Sequence, residues 1–228
     1  MAIPFEIHPV QARDLSEIFT VSEKAFEAIN PVVFKTLPLS AKTIELMAAS
    51  RAEAFGKDPQ ATSFKAVDPS SGGIIGVAYW EVHGEDEVVD KSVEEEVSGG
   101  LALDIPERHD DSSIAYYTML ASGKRDVLGI PGEGSRVEKL KKRVELSSLV
   151  VHPDFQGKGI GKELMKWGLE EAERLGLPLY LESTSAGRPL YEKIGFEPLK
   201  EATFDAREFG ADVVAQVTFM MKPPKASA

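Results

Sequence analysis

The chain has 228 residues, 43% of them hydrophobic and 28% charged, with a formal net charge of -11, a composition that fits one large globular domain or a domain carrying an insertion. The absence of Cys excludes disulfides, zinc–thiolate sites and a cysteine nucleophile, and the acid excess argues against a nucleic-acid partner, since phosphate contacts need clustered Lys and Arg. No apolar run approaches the ~20 residues that span a bilayer, and the first residues lack the basic stretch and apolar core of a secretory signal, so a cytoplasmic protein with no membrane partner is expected.

Phe5 to His8 reads as a short first strand. Asp14 can cap a helix to about Ile29, with Leu15, Ile18, Phe19, Ser22 and Phe26 near helical spacing, and Asn30-Pro31 ends it. Ser40 caps a second helix, Ala41 to about Phe55. Ala61 to Val67, the turn Asp68 to Gly73, and Ile74 to Val82 read as strand, turn, strand.

Residues 84–142 break the pattern. Their first part is rich in Asp and Glu, their last part carries Lys139, Lys141, Lys142 and Arg143 follows, and no clean strand pattern appears. Two or three helices and loops are expected, one around Ser112 to Ala121 and one around Ser135 to Lys142, inserted into the order of a sheet. Both charge blocks read as solvated faces.

Val144 to Val151 is the next strand, followed by the turn His152 to Phe155. A helix then runs to about Leu175, with Ile160, Leu164, Trp167, Ala172 and Leu175 on its inner side and Gly176 ending it. Pro178 to Glu182 reads as a strand, Gly187 to Ile194 as a short helix, and Asp212 to Met221 as the last strand. The tail from Lys222 is expected to fray.

Between strand and helix lies Gln156-Gly157-Lys158-Gly159-Ile160-Gly161. Glycines at alternate positions strip away side chains where a strand hands over to a helix, leaving backbone N–H groups bare for an anion. A dinucleotide fingerprint needs Gly-x-Gly-x-x-Gly, and the spacing here is Gly-x-Gly-x-Gly. A P-loop needs Gly-Lys-Ser/Thr, and Gly161-Lys162-Glu163 does not supply it. Gln-x-x-Gly-x-Gly, met by Gln156, Gly159 and Gly161, does fit, with Leu190-Tyr191-Glu192-Lys193-Ile194-Gly195-Phe196 downstream.

This pair of segments resembles the acetyl-CoA-binding signature of the GNAT superfamily of N-acetyltransferases. The resemblance covers Val144 to Pro198, is looser over Phe5 to Val82, and is absent across the insertion. It implies a single α/β domain with the GNAT fold over residues 1–228: a mixed, mostly antiparallel central sheet flanked by helices, with the 84–142 insertion between strands 3 and 4. It also implies acetyl-CoA as co-substrate, with Leu149, Val150 and Val151 beside the pantetheine arm and a backbone N–H, that of Val151, polarising the thioester carbonyl. The pyrophosphate is expected on the amides of Gln156, Gly157, Lys158, Gly159, Ile160, Gly161 and Lys162. Tyr191 matches the family tyrosine near the cofactor sulfur, or else packs with Leu190 and Phe196. Two donor-site positions depart from the family: a common Asn is Thr184 here, whose hydroxyl can still contact the pantetheine or the leaving sulfur, and a common Ala is Gly187.

An alkyl ammonium of pKa ~10.4 is neutral about once in 2,500 molecules at pH 7, so a base must help. The resemblance singles out Glu145, eleven residues before Gln156, with Glu81 and His83 as alternates. In a regular strand Glu145, Ser147, Leu149 and Val151 would share one face. His152 reads as a structural turn residue. No metal-ligand spacing and no Gly-x-Ser-x-Gly elbow appears, so no metal is expected, and direct transfer in a ternary complex is favoured over an acetyl-enzyme. Phe26, Phe34, Trp80, Tyr116 and Tyr117 are candidates for the acceptor pocket. The favoured acceptor is a small-molecule primary amine. The alternatives are a protein or peptide amine, or a non-catalytic acyl-CoA sensor. A homodimer is compatible with the resemblance.

Overall fold

A computed structural model describes residues 4–132 and 137–225. Seven strands form the main sheet: β1 (Glu6–Pro9), β2 (Ala61–Val67), β3 (Ile74–His83), β7 (Arg143–Val151), β8 (Leu179–Thr184), β9 (Glu197–Asp205) and β10 (Val214–Lys222). Their order is β1-β2-β3-β7-β8-β10-β9. Every pairing is antiparallel except that of β7 with β8. This is the mixed, mostly antiparallel sheet expected, with the insertion leaving after the third strand and returning at the fourth.

Helices cover both faces. On one lie α1 (Leu15–Ala25), α2 (Ala41–Ala54) and α4 (Asp110–Leu128); on the other lie α5 (Ile160–Leu164), α6 (Lys166–Leu175) and α7 (Arg188–Ile194). Trp80, Leu146, Leu164, Met165 and Leu181 fill the core under α5 and α6. Ile18 and Val21 of α1 pack on Val77 and Val150, and Tyr116 and Leu128 of α4 join Tyr180, Val217 and Phe219. Two glycines set the close approach of these layers. A Cβ at Gly168 would stand 2.2 Å from the Trp80 ring, and one at Gly123 would stand 2.1 Å from Phe219. Among the described residues no helix is long and apolar enough to cross a membrane.

Several sequence expectations are corrected. α1 ends at Ala25 rather than near Ile29. The side chain of Asn30 donates to the Glu23 carbonyl at 2.7 Å, satisfying a group the ended helix leaves open. Asp14 precedes α1 but does not cap it with its side chain. Its carboxylate accepts from the Gln11 N–H at 2.7 Å and from Lys65 Nζ at 2.6 Å, which ties the helix start to β2. Ser40 does cap α2 through the Thr43 N–H. The single helix expected after the glycines is two segments meeting at Met165.

The insertion is more ordered than its charge pattern suggests. It contains β4 (Glu87–Val88), α3 (Val93–Gly100), the long α4, β5 (Gly129–Pro131) and β6 (Val137–Leu140). The helix expected around Ser135 to Lys142 is replaced over 137–140 by β6, which pairs with β4 and β5 in a small sheet; Ser135 and Arg136 lie outside the described residues. Backbone pairing from two neighbours outweighs the local charge pattern there. The helix expected around Ser112 to Ala121 is α4, extended to Leu128 because its apolar stripe docks on β9 and β10.

Candidate active site

β7 creates the site by two departures from regular pairing. Tyr79 of β3 pairs with Ser148 and Trp80 pairs with Leu146, so Ser147 has no partner and forms a bulge. The bulge reverses the alternation of side chains. Val144 and Leu146 point into the α5/α6 core, and so do Leu149 and Val151; Glu145 and Val150 point to the opposite face. Glu145 therefore does not share a face with Leu149 and Val151, as a regular strand would require.

The second departure is a split. β7 and β8 pair only at Val144, Glu145 and Leu146 and then diverge. The Val144 N–H donates to Pro178 on the β8 side, and the His152 N–H donates to Ile75 on the β3 side. Alternation with one extra residue at Ser147 turns the N–H groups of Leu149 and Val151 into the split. The Val151 carbonyl accepts from the Gln156 side chain at 3.1 Å, which fastens the end of the strand to the glycine turn.

The split opens as a groove of about 470 Å³. Leu149, Val151, Gln156 and the three glycines line it, together with Ile160 and Lys162. Gly157 and Gly159 have φ of +71° and +91°, a left-handed backbone that strains other residues, and a Cβ at either would meet no atom within 4 Å. They thus bare the turn's amides toward open space. Gly161 serves packing: its Cβ would press Leu190 at 3.2 Å. Lys162 and Lys193 place two cations on the groove. Two residues expected at the donor do not line it. Val150 is buried under α1, and Lys158 donates to the Asp154 carbonyl at 2.6 Å with its cation over the Phe155 ring.

Across the split stand Thr184, Gly187 and Tyr191. Thr184 Oγ1 accepts from the Gly187 N–H at 3.3 Å, shaping the entry to α7. Tyr191 is buried, packs edge-on to Phe196 and lines the groove. Burial pushes its phenol well above the ordinary tyrosine range, so it stays a proton donor at neutral pH.

A second cavity of about 380 Å³ lies between α1 and α4. Phe19 of α1, Phe26 just beyond its end, Val33 and Phe34 of the following loop, and Tyr116 and Tyr117 of α4 supply its apolar walls. The start of α4 is fastened to that loop: Ser112 and Ser113 donate to the carbonyls of Val32 and Val33, and the Lys35 N–H donates to the Glu107 carbonyl. Groove and cavity share Phe26, Ser147, Ser148, Glu182 and Thr184, and so meet at one point.

Glu182 is the titratable group at that junction. The Tyr180 hydroxyl donates to its Oε1 at 3.0 Å. Burial pushes its carboxyl up to about 7, with Glu145 adding to the rise and Lys124 opposing it. The sequence analysis passed over it as the end of a strand. The available signal was one acid in the apolar run Leu179-Tyr180-Leu181-Glu182, where alternation sends Tyr180 and Glu182 to the same face.

Glu145, the first-choice base, lines neither space. It accepts from Lys124 Nζ and Arg143 Nε, each at 2.7 Å. Arg143, fully buried, also donates to Glu87 at 2.8 Å. Glu81 faces Glu145 across the β3–β7 pair. The His83 ring, its Nε2 3.4 Å from the carboxylate, aided by the Ser147 hydroxyl and by Lys124, holds Glu81 down to about 2, which makes it a weak proton acceptor. It reaches the junction only through the Ser147 hydroxyl, 2.9 Å from its Oε1. Glu81, His83 and Glu145 offer ligand atoms within 4.8 Å of one another, a grouping that linear spacing does not reveal. The cations of Lys124 and Arg143 already occupy the Glu145 carboxylate there. Trp80, expected at the acceptor, is fully buried against Trp167 and Gly168 and lines neither space, whereas Phe26, Phe34, Tyr116 and Tyr117 line the second cavity. His152 caps the turn through the Asp154 N–H, as a structural residue would.

Residues 115–198 match the family model "Acetyltransferase (GNAT) domain". A 61-residue stretch, 27% of this chain, is 48% identical to "Probable acyltransferase SID5" of Ajellomyces capsulatus and spans 39% of that relative's length. Among solved structures, the mosquito arylalkylamine N-acetyltransferase like 5b is similar over 96% of this chain and 99% of its own, with a TM-score of 0.62 and 14% identity. A Corynebacterium glutamicum protein described as "histone acetyltransferase HPA2 and related acetyltransferase" is similar over 100% and 99%, with a TM-score of 0.57 and 20% identity. At these identities the two structures establish a shared fold.

Proposed function

From the match of residues 115–198 to a GNAT acetyltransferase domain and the fold shared with acetyltransferase structures, we propose that this chain is a GNAT-superfamily N-acetyltransferase that moves an acetyl group from acetyl-CoA to a primary amine of a small molecule, directly, in a ternary complex. The observation that carries this reading is the meeting of a donor groove and an acceptor cavity at a single carboxyl of pKa about 7, that of Glu182.

Acetyl-CoA fits the groove by three features: an unpaired strand edge, bare turn amides and two lysines. The donor supplies an activated acyl thioester. The β7 edge takes the pantetheine arm as a neighbouring strand would, and the turn amides with Lys162 take the pyrophosphate. Leu149 stands nearer the junction than Val151, whose carbonyl Gln156 holds at the far end. The Leu149 N–H is therefore the donor assigned to the thioester carbonyl, in place of Val151; such oxyanion contacts are worth ~3 kcal/mol. The ionised Glu182 accepts a proton from the ammonium. The freed amine nitrogen forms a bond to the carbonyl carbon and the C–S bond breaks; as the Tyr191 hydroxyl gives its proton to the leaving sulfur, the nitrogen releases its second proton, which restores the phenol, and Glu182 later passes its proton to solvent. The products are an amide and CoA thiol.

Tyr191→Phe lowers kcat with little change in acetyl-CoA affinity, as measured by steady-state kinetics and calorimetric titration. Equal turnover by the variant would leave Tyr191 a packing residue. The whole reading is tested by titrating acetyl-CoA calorimetrically and following thiol release with a broad amine panel. Amine-dependent release is expected. Tight acetyl-CoA binding with no amine-dependent release would make the protein a non-catalytic acyl-CoA sensor.

A further inference from the structure

Resting on the acetyltransferase reading, we propose that the acceptor is a compact amine with an uncharged apolar body and no carboxylate. Among the described residues that line the cavity there is no Lys, Arg or His, whereas two carboxylates, Glu23 and Glu182, do line it. Glu182 sits at the junction, where the reacting nitrogen must lie. Glu23 has one oxygen engaged by the Leu39 N–H at 2.6 Å. Arg108 lies near Tyr117, but its guanidinium is committed to Asp110 at 2.7 Å and to the Leu103 carbonyl at 2.7 Å. Lys124 is likewise committed to Glu145. An acceptor carboxylate would therefore enter without a partner, close to fixed negative charge.

Beyond the junction the walls are mostly apolar, with Ser22, Glu23 and Asn30 the polar exceptions on the α1 side. Leu39, Met47 and Leu120 close the space away from Glu182, and the rings of Phe34 and Tyr117 flank it. A volume of about 380 Å³ suits a single ring or a short alkyl chain and is small for a folded peptide segment. The ammonium pairs with Glu182, and the remainder of the molecule meets mostly carbon. An amino acid would bring its carboxylate within two bonds of the reacting nitrogen and is rejected; the corresponding decarboxylated amine is accepted. The class of reaction that supplies such a substrate is a decarboxylation.

The test compares acceptors that differ in the charge of the tail. Phenethylamine and hexylamine are set against 6-aminohexanoate, 1,6-diaminohexane and a lysine-containing peptide, with kcat/KM read from thiol release. The two apolar amines should exceed 6-aminohexanoate by at least about 30-fold, the penalty of an unpaired charge. In Met47→Lys, where the new cation sits on a half-exposed wall, the ratio of hexylamine to 6-aminohexanoate should fall at least about 10-fold. A parent enzyme that prefers 6-aminohexanoate, the diamine or the peptide overturns the inference while leaving the acetyltransferase reading intact. A ratio unmoved by Met47→Lys overturns the assignment of this cavity. Acetyl-CoA binding with no release from any amine overturns the acetyltransferase reading itself.

Discussion

Glu182→Gln lowers kcat/KM by about 10²- to 10⁴-fold, the range for a positioned general base. The shape of the pH profile distinguishes this role from a structural one. In the parent, kcat/KM rises with pH as Glu182 ionises, with an inflection near 7, and then levels because the carboxylate accepts the ammonium proton itself. In the variant that inflection is absent. The rate keeps rising toward the amine's own pKa, ~10, since only the small neutral fraction reacts. Gln keeps the shape of the side chain and can still accept from Tyr180. Because the carboxyl is raised from an ordinary 4.5 to about 7, the folded state keeps this proton where the unfolded chain has lost it. The stability it contributes is full below about pH 4.5 and lost as pH rises through about 7. The variant escapes that loss and is at least as stable as the parent at pH 8, by urea denaturation. The same pH profile run on Glu145→Gln should keep its inflection. If instead Glu145→Gln abolishes the inflection and Glu182→Gln retains it, the base assignment reverses.

Arg143→Leu destabilises the fold by about 3 to 5 kcal/mol, the cost of breaking a buried ion pair by removing one partner. Arg143 is fully buried, and its loss leaves Glu87 and Glu145 facing Glu81 with Lys124 and the neighbouring His83 ring to balance them. The effect reads out as a shift of the urea midpoint at constant m-value. A loss below about 1 kcal/mol would mean that water hydrates the cluster and that the pairs behave as surface ones. The cluster joins β7, β4 and α4, so its disruption loosens the insertion where it returns to the sheet.

The parts of the site that could be read from the chain are those where local chemistry leaves a local mark. The glycines at 157 and 159 announce a left-handed turn, and Leu190 to Phe196 announces the helix that faces it. Strand β7 was legible as a strand, but Ser147-Ser148 carries no signal for a bulge. The extra residue is set by how β3 pairs, and with it the direction of Glu145. For the same reason the sequence places Glu145 on the face of Leu149, which it does not share, whereas Glu182, which lines both spaces, is hidden in a strand that seems complete. The insertion was the least legible part. Its charges describe its solvent face, while Tyr116, Ala121, Gly123 and Leu128, which dock α4, are spread through a sequence of weak amphipathicity. The strand over 137–140 depends on partners at 87–88 and 129–131 and has no pattern of its own.

The insertion leaves the sheet after His83 and re-enters at Arg143, and these two residues lie opposite each other on adjacent strands. To the sheet, the whole of 84–142 is therefore a loop whose two ends already touch. Lengthening or trimming such a loop costs little in closure entropy, since that cost grows only with the logarithm of length. It also leaves the register of β3 and β7 alone. The wall contributed by Tyr116, Tyr117 and Leu120 thus belongs to a cassette, while the glycine turn and the split strand belong to the chassis. On the proposed function, remodelling the cassette changes the acceptor while the chassis keeps the donor.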